Sequence, residues 1–342
     1  MAAGKYTTRR FAFLLAALFT NIVFYASCST NGKDTVTAQT SSSDEGSTFC
    51  AVPRVSDFDK HLNSAEQKAT LRAALESSKL MTDGQSLIGT QSPESLMQWI
   101  LYALTPLSKG CKNYELGGVQ RYGEKAFANF VAVAVDSMRS DPEGEPQRVG
   151  LSLRLNPNLS STQKEFINAL LNINRRIRED SDANFRTRGQ DVIHGVPLTA
   201  QEELTVKEIS SEGLLKVVTY DRPFKNASGD MVSGSFIQYP PGQEVFRLVA
   251  SLAKFYEEAQ KKDDEEYQRD AARIMRRCLA IHPFLDGNGR SCTILAIWMQ
   301  SKRNLPHSVL WSGEDILLKE SEFVLRYEDG IRFHKELRET LN

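Results

Sequence analysis

The chain has 342 residues, of which 41% are hydrophobic and 25% are charged. This length permits two domains, the apolar content supports a buried core, and the net charge of -1 gives no electrostatic argument for nucleic-acid binding. The chain contains no Walker-type phosphate loop, no H-E-x-x-H, no G-x-S-x-G and no cysteine pair with zinc-site spacing. These absences argue against P-loop nucleotide-binding proteins, zinc metallopeptidases of the H-E-x-x-H type and serine hydrolases of the G-x-S-x-G type.

The N-terminus has the three parts of a secretory signal. Basic residues precede the apolar run 11–24, and the small residues Ala26 and Ser27 come directly before Cys28. The segment 26–28 also resembles the end of a bacterial lipobox, which makes Cys28 a candidate lipidation site, although Tyr25 departs from the usual aliphatic residue. We therefore expect residues 1–28 to be a signal peptide and the protein to be exported, either secreted or anchored in a membrane as a lipoprotein.

Composition divides the rest of the chain. Residues 29–50 are rich in Ser and Thr, which predicts a disordered tether. Residues 51–146 contain helical patterns near 57–80, 93–107 and 123–138, and the Pro- and Gly-containing stretch 141–146 is typical of a break. We therefore predict an N-terminal helical region over 51–146 and a main domain over 147–342.

A β-hairpin is predicted within the main domain. The β-prone runs 214–220 and 235–239 are separated by the polar stretch 226–230 and followed by two prolines. From Glu244 onwards, apolar residues at helical spacing predict an amphipathic helix.

Two further helices flank a short loop. Ala271, Met275 and Cys278 share one helical face, which predicts a helix over about 265–281. Pro283 cannot continue that helix, so the chain must turn after His282. The run 291–299 is apolar nearly all round, as expected of a buried helix, and the tail to residue 342 is predicted to complete a helical bundle.

The loop 282–290, His-Pro-Phe-Leu-Asp-Gly-Asn-Gly-Arg, has residues suited to phosphate chemistry. The amides of Gly287, Asn288 and Gly289 fall at the N-terminus of the second helix, where unpaired N–H groups and the helix dipole favour an anion. Arg290 can pair with a phosphate through two hydrogen bonds. Taken singly, these residues could equally form ordinary turns or a solvated charge.

The same loop offers a metal ligand and a base. Asp286 is a hard oxygen ligand suited to Mg²⁺ that is shared with phosphates. His282 is the side chain in the loop that could accept a proton from a hydroxyl near neutral pH. Phe284 is expected to anchor the loop in apolar core.

This loop resembles the Fic signature HPFx[D/E]GNGR at every defined position. The resemblance implies the Fido fold, a mainly α-helical bundle with a small β-hairpin flap, here preceded by the N-terminal helical region. It also implies transfer of AMP from ATP to a Tyr, Thr or Ser hydroxyl of a target protein. In that activity His282 is the general base, Asp286 holds Mg²⁺, the backbone of 287–289 cradles phosphate, and Arg290 binds the departing pyrophosphate.

In the family the flap holds a target segment as an added strand, and the predicted hairpin is similar to it. The resemblance makes five residues candidates for target binding: Ser235, Phe236, Ile237, Gln238 and Tyr239. The alternative is a hairpin with a purely structural role. Ser41, Glu45 and Gly46 match the spacing of the family's inhibitory motif but lie in the predicted tether, so autoinhibition stays open.

Other functions also remain open. One keeps the fold but uses another donor, such as UTP, GTP or a phosphocholine carrier, or removes AMP. Another is an anchored binding protein with an inactive Fic-like site, since a secretory signal points to compartments where ATP is scarce. Cys278 and Cys292 are expected to be small buried side chains rather than nucleophiles, and export makes a bridge such as Cys50 to Cys111 conceivable.

Overall fold

The protein is mainly α-helical with one small β-hairpin, as predicted. The structure, a computed structural model, describes residues 129–138, 158–194, 197–209, 213–225, 231–309 and 316–341. Within these ranges the elements are α1 (129–138), α2 (Ser161–Arg178), α3 (Ala200–Ile209), β1 (Lys216–Lys225), β2 (Met231–Gln238), α4 (Gly242–Ala259), α5 (Asp264–Ile281), α6 (Asn288–Ser301) and α7 (Glu320–Leu341).

Several predictions fall outside the described residues. They concern the signal peptide at 1–28 with Cys28, the tether at 29–50 with its inhibitory-motif spacing, most of the region 51–146, and the hairpin turn 226–230. In the part of the chain that the structure describes, no helix is both long enough and apolar enough to cross a membrane. Export and lipidation stay predictions.

Helix α2 begins and ends with strong local signals. Ser160 caps its N-terminus by accepting a hydrogen bond from the amide of Gln163, whose side chain accepts from the Ser160 amide in return. At the other end Glu179 adopts the left-handed conformation at φ 52°, which stops the helix after the basic residues of its last turn. The helix therefore delivers Arg178 to a fixed position.

One apolar core joins six of the helices. Helix α5 packs against α4, α6 and α7, while α2 packs against α4 and α6. Helix α6 is buried nearly all round, as its sequence predicted, and Trp298 is fully enclosed. Helix α1 contributes Phe130 and Val131 to the same core. The predicted break at 141–146 therefore lies between helices that share a core, and the division into domains stays a prediction.

The hairpin is longer than predicted, because β1 continues through Asp221, Arg222 and Pro223 to Lys225. The pairing is antiparallel, with Val217 opposite Ile237 and a register shift between Tyr220 and Phe224. Proline is tolerated in an edge strand at such an irregularity, because no ladder hydrogen bond is required of it there.

A disulfide joins Cys278 on α5 to Cys292 on α6. Both residues are buried, as predicted, and they are bonded to each other, a pairing that the sequence did not assign. The helices on the two sides of the loop run against each other and bring the two cysteines together. The bridge therefore encloses the whole segment from His282 to Ser291 in a covalent ring.

Candidate active site

His282 lies one residue beyond α5, in a conformation that a non-glycine residue seldom adopts. Its φ is 50°, and its amide caps the helix by donating to the carbonyl of Cys278 at 3.1 Å. Left-handed backbone costs a residue with a Cβ about 1–2 kcal/mol. The surrounding contacts must offset this cost, so the position of His282 is imposed by its neighbours.

The imidazole of His282 is buried beneath the end of the hairpin. Its ring stacks on Tyr239 with 4.0 Å between centroids, and the side chain is 3% exposed. Its Nε2 has no hydrogen-bond partner within the described residues. Burial, and then the nearby Arg186 and His194, hold the pKa of His282 well below its usual 6.5. The ring is therefore neutral at neutral pH and can accept a proton.

Tyr239 is itself held by a hydrogen bond between its hydroxyl and Nδ1 of His194, at 3.2 Å. Burial lowers the pKa of His194, so this ring is also uncharged near neutral pH. His194 lies in a loop, and Tyr239 lies between it and His282.

Arg186 fixes the backbone around the histidine. Its guanidinium, almost fully buried, donates to the carbonyls of His282 at 2.7 Å, Ile281 at 3.1 Å, Pro240 at 3.0 Å and Gln190 at 2.8 Å. Burial lowers the pKa of Arg186 to about 10, which leaves it charged at neutral pH. One side chain thus links the end of α5, the end of the hairpin and the loop after α2.

The start of α6 is a tight turn whose first backbone amides are available to an anion. Gly287 is the N-cap at φ 78°, and the first helical hydrogen bond runs from the Ser291 amide to the Gly287 carbonyl. The amides of Asn288 and Gly289 precede that bond, so they have no partner inside the helix. A Cβ at Gly287 would lie 3.0 Å from Nδ2 of Asn174, so this position requires glycine.

Side chains hold this turn in shape. The amide group of Asn288 accepts from the Phe284 amide at 2.7 Å and donates to its carbonyl at 2.9 Å. From α2, the buried Asn174 donates to the Asp286 carbonyl and to the Ser291 hydroxyl, both at 3.0 Å. Phe284 is buried, as expected of an anchor. The side chain of Asn288 therefore closes the loop, and only its backbone can contact an anion.

The carboxylate of Asp286 lies between two arginines. Its Oδ1 accepts from the Gly287 amide at 2.6 Å, so that amide is occupied here, whereas Oδ2 lies 3.8 Å from Nη2 of Arg290 and 3.9 Å from Nε of Arg178. The Asp286 side chain is 38% exposed, and that of Arg290 is 12% exposed. These are long ion pairs, and a competing phosphate or cation could replace them.

The donor set fits a magnesium ion that is shared with phosphates. Mg²⁺ takes one or two carboxylates and completes its shell with water and phosphate oxygens. Asp286 supplies one exposed carboxylate, and the described residues contain no group of three or more His, Cys, Asp or Glu that could hold a metal alone. Binding of the ion at Asp286 would therefore depend on the nucleotide.

The predicted target-binding residues lie at the end of β2, between β1 and the loop 192–198. Four of them are buried: Ser235, Phe236, Ile237 and Tyr239. On the side of β2 away from β1, the carbonyl of Ile237 accepts from the His194 amide at 2.8 Å and that of Ser235 accepts from Leu198 at 2.7 Å. These backbone groups are already paired. Target contact by 235–239 stays a prediction, and Gln238 is the partly exposed member.

Within the described residues, the edge of the hairpin that has no neighbouring strand is that of β1. Because Ser235 and Ile237 turn their backbone groups away from β1, their partners Thr219 and Val217 form the non-hydrogen-bonded pairs. The N–H and C=O groups of Thr219 and Val217 therefore point outwards, away from β2. An added strand would find its hydrogen-bonding groups there.

Comparison with known proteins comes to the same region of the chain. The model of the Fic/DOC family matches residues 167–300, from within α2 to α6. No curated protein matches the chain by sequence. Among solved structures, a Fic domain containing signaling protein from Bacteroides thetaiotaomicron VPI-5482 is similar, with 19% identity, 66% of this chain and 87% of that chain covered, and a TM-score of 0.23.

Proposed function

We propose that residues 167–300, which match the Fic/DOC family, transfer AMP from Mg-ATP to a hydroxyl of a target protein. Members of that family generally transfer a nucleoside monophosphate to proteins. The observation that carries the proposal is the convergence, in one loop, of a neutral buried imidazole, a helix N-terminus with unpaired amides, and an arginine beside a carboxylate.

In this mechanism His282 accepts the proton of the attacking hydroxyl. Its depressed pKa keeps the ring unprotonated at neutral pH, and its unpartnered Nε2 is the atom to which a hydroxyl could donate. The oxygen then attacks the α-phosphorus of ATP, and the bond to the β-phosphate oxygen breaks, so that pyrophosphate leaves. Arg186 acts through the backbone by holding the imidazole in place.

The phosphates would lie over the first turn of α6. The amides of Asn288 and Gly289 can donate to phosphate oxygens, and Arg290 can pair with the leaving pyrophosphate. Asp286 would hold Mg²⁺, which neutralises the charge that develops on the leaving group. Asn174 keeps this turn aligned with α2 while the charges rearrange.

A target segment would add to β1 as a strand. Strand addition depends on main-chain hydrogen bonds and so places little demand on sequence. Thr219→Pro removes an N–H that points away from β2, without breaking a backbone hydrogen bond to β2. Thr219→Val is the control, because it keeps that N–H. Both variants lose the hydroxyl contact to Ser235. We expect the proline variant alone to lose labelling of a target peptide.

The direct test is incubation of the purified protein with ATP labelled at the α-phosphate and candidate target proteins. We expect protein-bound label that disappears in His282→Ala while Mg-ATP binding is retained. Equal labelling by His282→Ala would refute the role of the base.

Competition with UTP and GTP identifies the donor. Label on the protein that is released instead of added would indicate removal of AMP. A folded protein that gives no heat with Mg-ATP in calorimetry would indicate a binding protein with an inactive site.

A further inference from the structure

The last turn of α2 carries a cation that the proposed mechanism does not use. The run 175–182 is rich in charged residues, and its arginines differ in their surroundings. Arg175 is buried and donates to the carbonyl of Ala183 at 2.8 Å, and Arg176 pairs with Asp136. Both therefore have structural partners. Arg178 makes only ion pairs longer than 3.5 Å within the described residues.

Arg178 lies against the turn at the start of α6. Its Nε lies 3.9 Å from Oδ2 of Asp286, the oxygen that Arg290 approaches from the other helix. A Cβ built on Gly287 would lie 3.7 Å from Cγ of Arg178 and 3.7 Å from Nη2 of Arg290. Two guanidinium groups from different helices therefore converge on one glycine and one carboxylate.

The position of Arg178 is fixed by the same contacts that build the turn. Asn174, one helical turn earlier on α2, is buried and bonded to the Asp286 carbonyl and to Ser291. Residues four apart lie on one face of a helix, so Asn174 holds Arg178 against the loop. The Arg178 side chain is 25% exposed, so its guanidinium can reach a ligand that arrives from solvent.

A divalent cation bound to a carboxylate neutralises its charge, which weakens the attraction of that carboxylate for nearby arginines. If Mg²⁺ were bound at Asp286, the long ion pairs from Arg178 and Arg290 to this carboxylate would weaken, and both guanidiniums would be available to the phosphates that accompany the ion. Asp180, 3.7 Å from Nη2 of Arg178, is the other carboxylate that faces this guanidinium. Asp180 is exposed to solvent, where screening weakens its ion pair with Arg178.

We propose that Arg178 is a second phosphate-binding residue, which turns from Asp286 to the β- and γ-phosphates of the bound nucleotide. This inference rests on the proposed function, because it assumes a nucleoside triphosphate in the same site. Its consequence is selection by charge: the site should distinguish ATP from AMP through a residue that lies outside the loop 282–290.

The test is calorimetric titration of the full chain with ATP, ADP and AMP, each with Mg²⁺. We expect Arg178→Ala to weaken ATP binding by about 10- to 100-fold, the usual worth of a charge-assisted hydrogen bond, and to change AMP binding less than about threefold. Arg176→Ala, on the same helix but paired with Asp136, is the matched control and should leave both affinities unchanged. Because Arg178 is partly exposed, the variant should fold, which circular dichroism checks.

A second variant separates ligand contact from a role through Asp286. In an Asp286→Asn background, Arg178→Ala should still weaken ATP binding if the guanidinium touches phosphate. Loss of the effect in that background, or an equal loss for AMP, overturns the inference. If wild type binds ATP and only Arg290→Ala weakens it, the inference fails while the proposed function stands. If wild type binds no nucleotide, both fail.

Discussion

Reduction of the Cys278–Cys292 bridge should lower the free energy of unfolding by about 3 kcal/mol. The bridge closes a loop with a sequence separation of 14. In the chain-entropy description, a loop of this size restricts the unfolded chain by roughly 10 cal/mol/K, which gives about 3 kcal/mol at 25 °C. Because reduction leaves both sulfur atoms in the core, little packing is lost.

Thermal unfolding with and without a reducing agent measures this effect. For a domain of roughly 150–250 residues, about 3 kcal/mol corresponds to a fall in Tm of roughly 6–12 °C. The control is Cys278→Ala with Cys292→Ala, which should no longer respond to the reductant. Since trypsin cleaves after Arg277, Arg290 and Lys302, the oxidised protein should yield peptides 278–290 and 291–302 joined together.

Two results would refute this reasoning. One is a fall in Tm of less than about 2 °C on reduction, which would show that the ring contributes little. The other is an equal response of the double alanine variant, which would assign the effect to a different cysteine pair.

Three further changes test how the site is held. Arg186→Met should lower the free energy of unfolding by about 3 kcal/mol or more, because it leaves buried carbonyls without hydrogen-bond donors. It should also lower kcat at least tenfold while the Kd for Mg-ATP stays within threefold. A change in Kd alone contradicts the positioning role. Gly242→Ala should destabilise by about 1–3 kcal/mol in urea unfolding, because its Cβ would lie 1.9 Å from the carbonyl oxygen of Thr187; an unchanged midpoint would show that the loop yields freely. The acid limb of kcat/KM should lie below pH 6.5, because the depressed pKa of His282 keeps the base neutral until the pH falls below that value; a limb above pH 7 contradicts this.

Local signals explain what the sequence predicted well. Helix α5 was expected over 265–281 and spans Asp264–Ile281, since a clear apolar period ends at His282 and Pro283. Helix α6 was expected from its apolar run, and glycine at 287 marks its start. Strand β1 was cut short at Tyr220, because a charged stretch with Pro223 hides the strand that continues beyond the register shift.

Long-range contacts explain what the sequence did not predict. Arg186 reaches the carbonyl of His282 across 96 positions, and Asn174 reaches that of Asp286 across 112. Neither residue belongs to a motif. The disulfide was missed for the same reason, since only the packing of α5 against α6 shows that Cys278 faces Cys292. A basic residue at the C-terminus of a helix, such as Arg178, has no signature that separates a ligand-binding role from a solvated one.

The disulfide also bears on where this chemistry would occur. A bridge between buried cysteines is typical of proteins that fold in an oxidising compartment, which agrees with the secretory signal predicted at 1–28. In such a compartment the supply of ATP would limit the proposed reaction, so the affinity of the site for the triphosphate would matter more than its turnover.

Arg186 couples the end of the hairpin mechanically to the backbone of His282. A displacement of the strand end at Pro240 pulls on the guanidinium that holds the carbonyls of Ile281 and His282. A poorly fitting target that bends the hairpin would therefore shift the imidazole as well. Discrimination between targets would then appear in the rate of transfer as well as in affinity. A target that binds weakly through its backbone would still be preferred over one that distorts the hairpin.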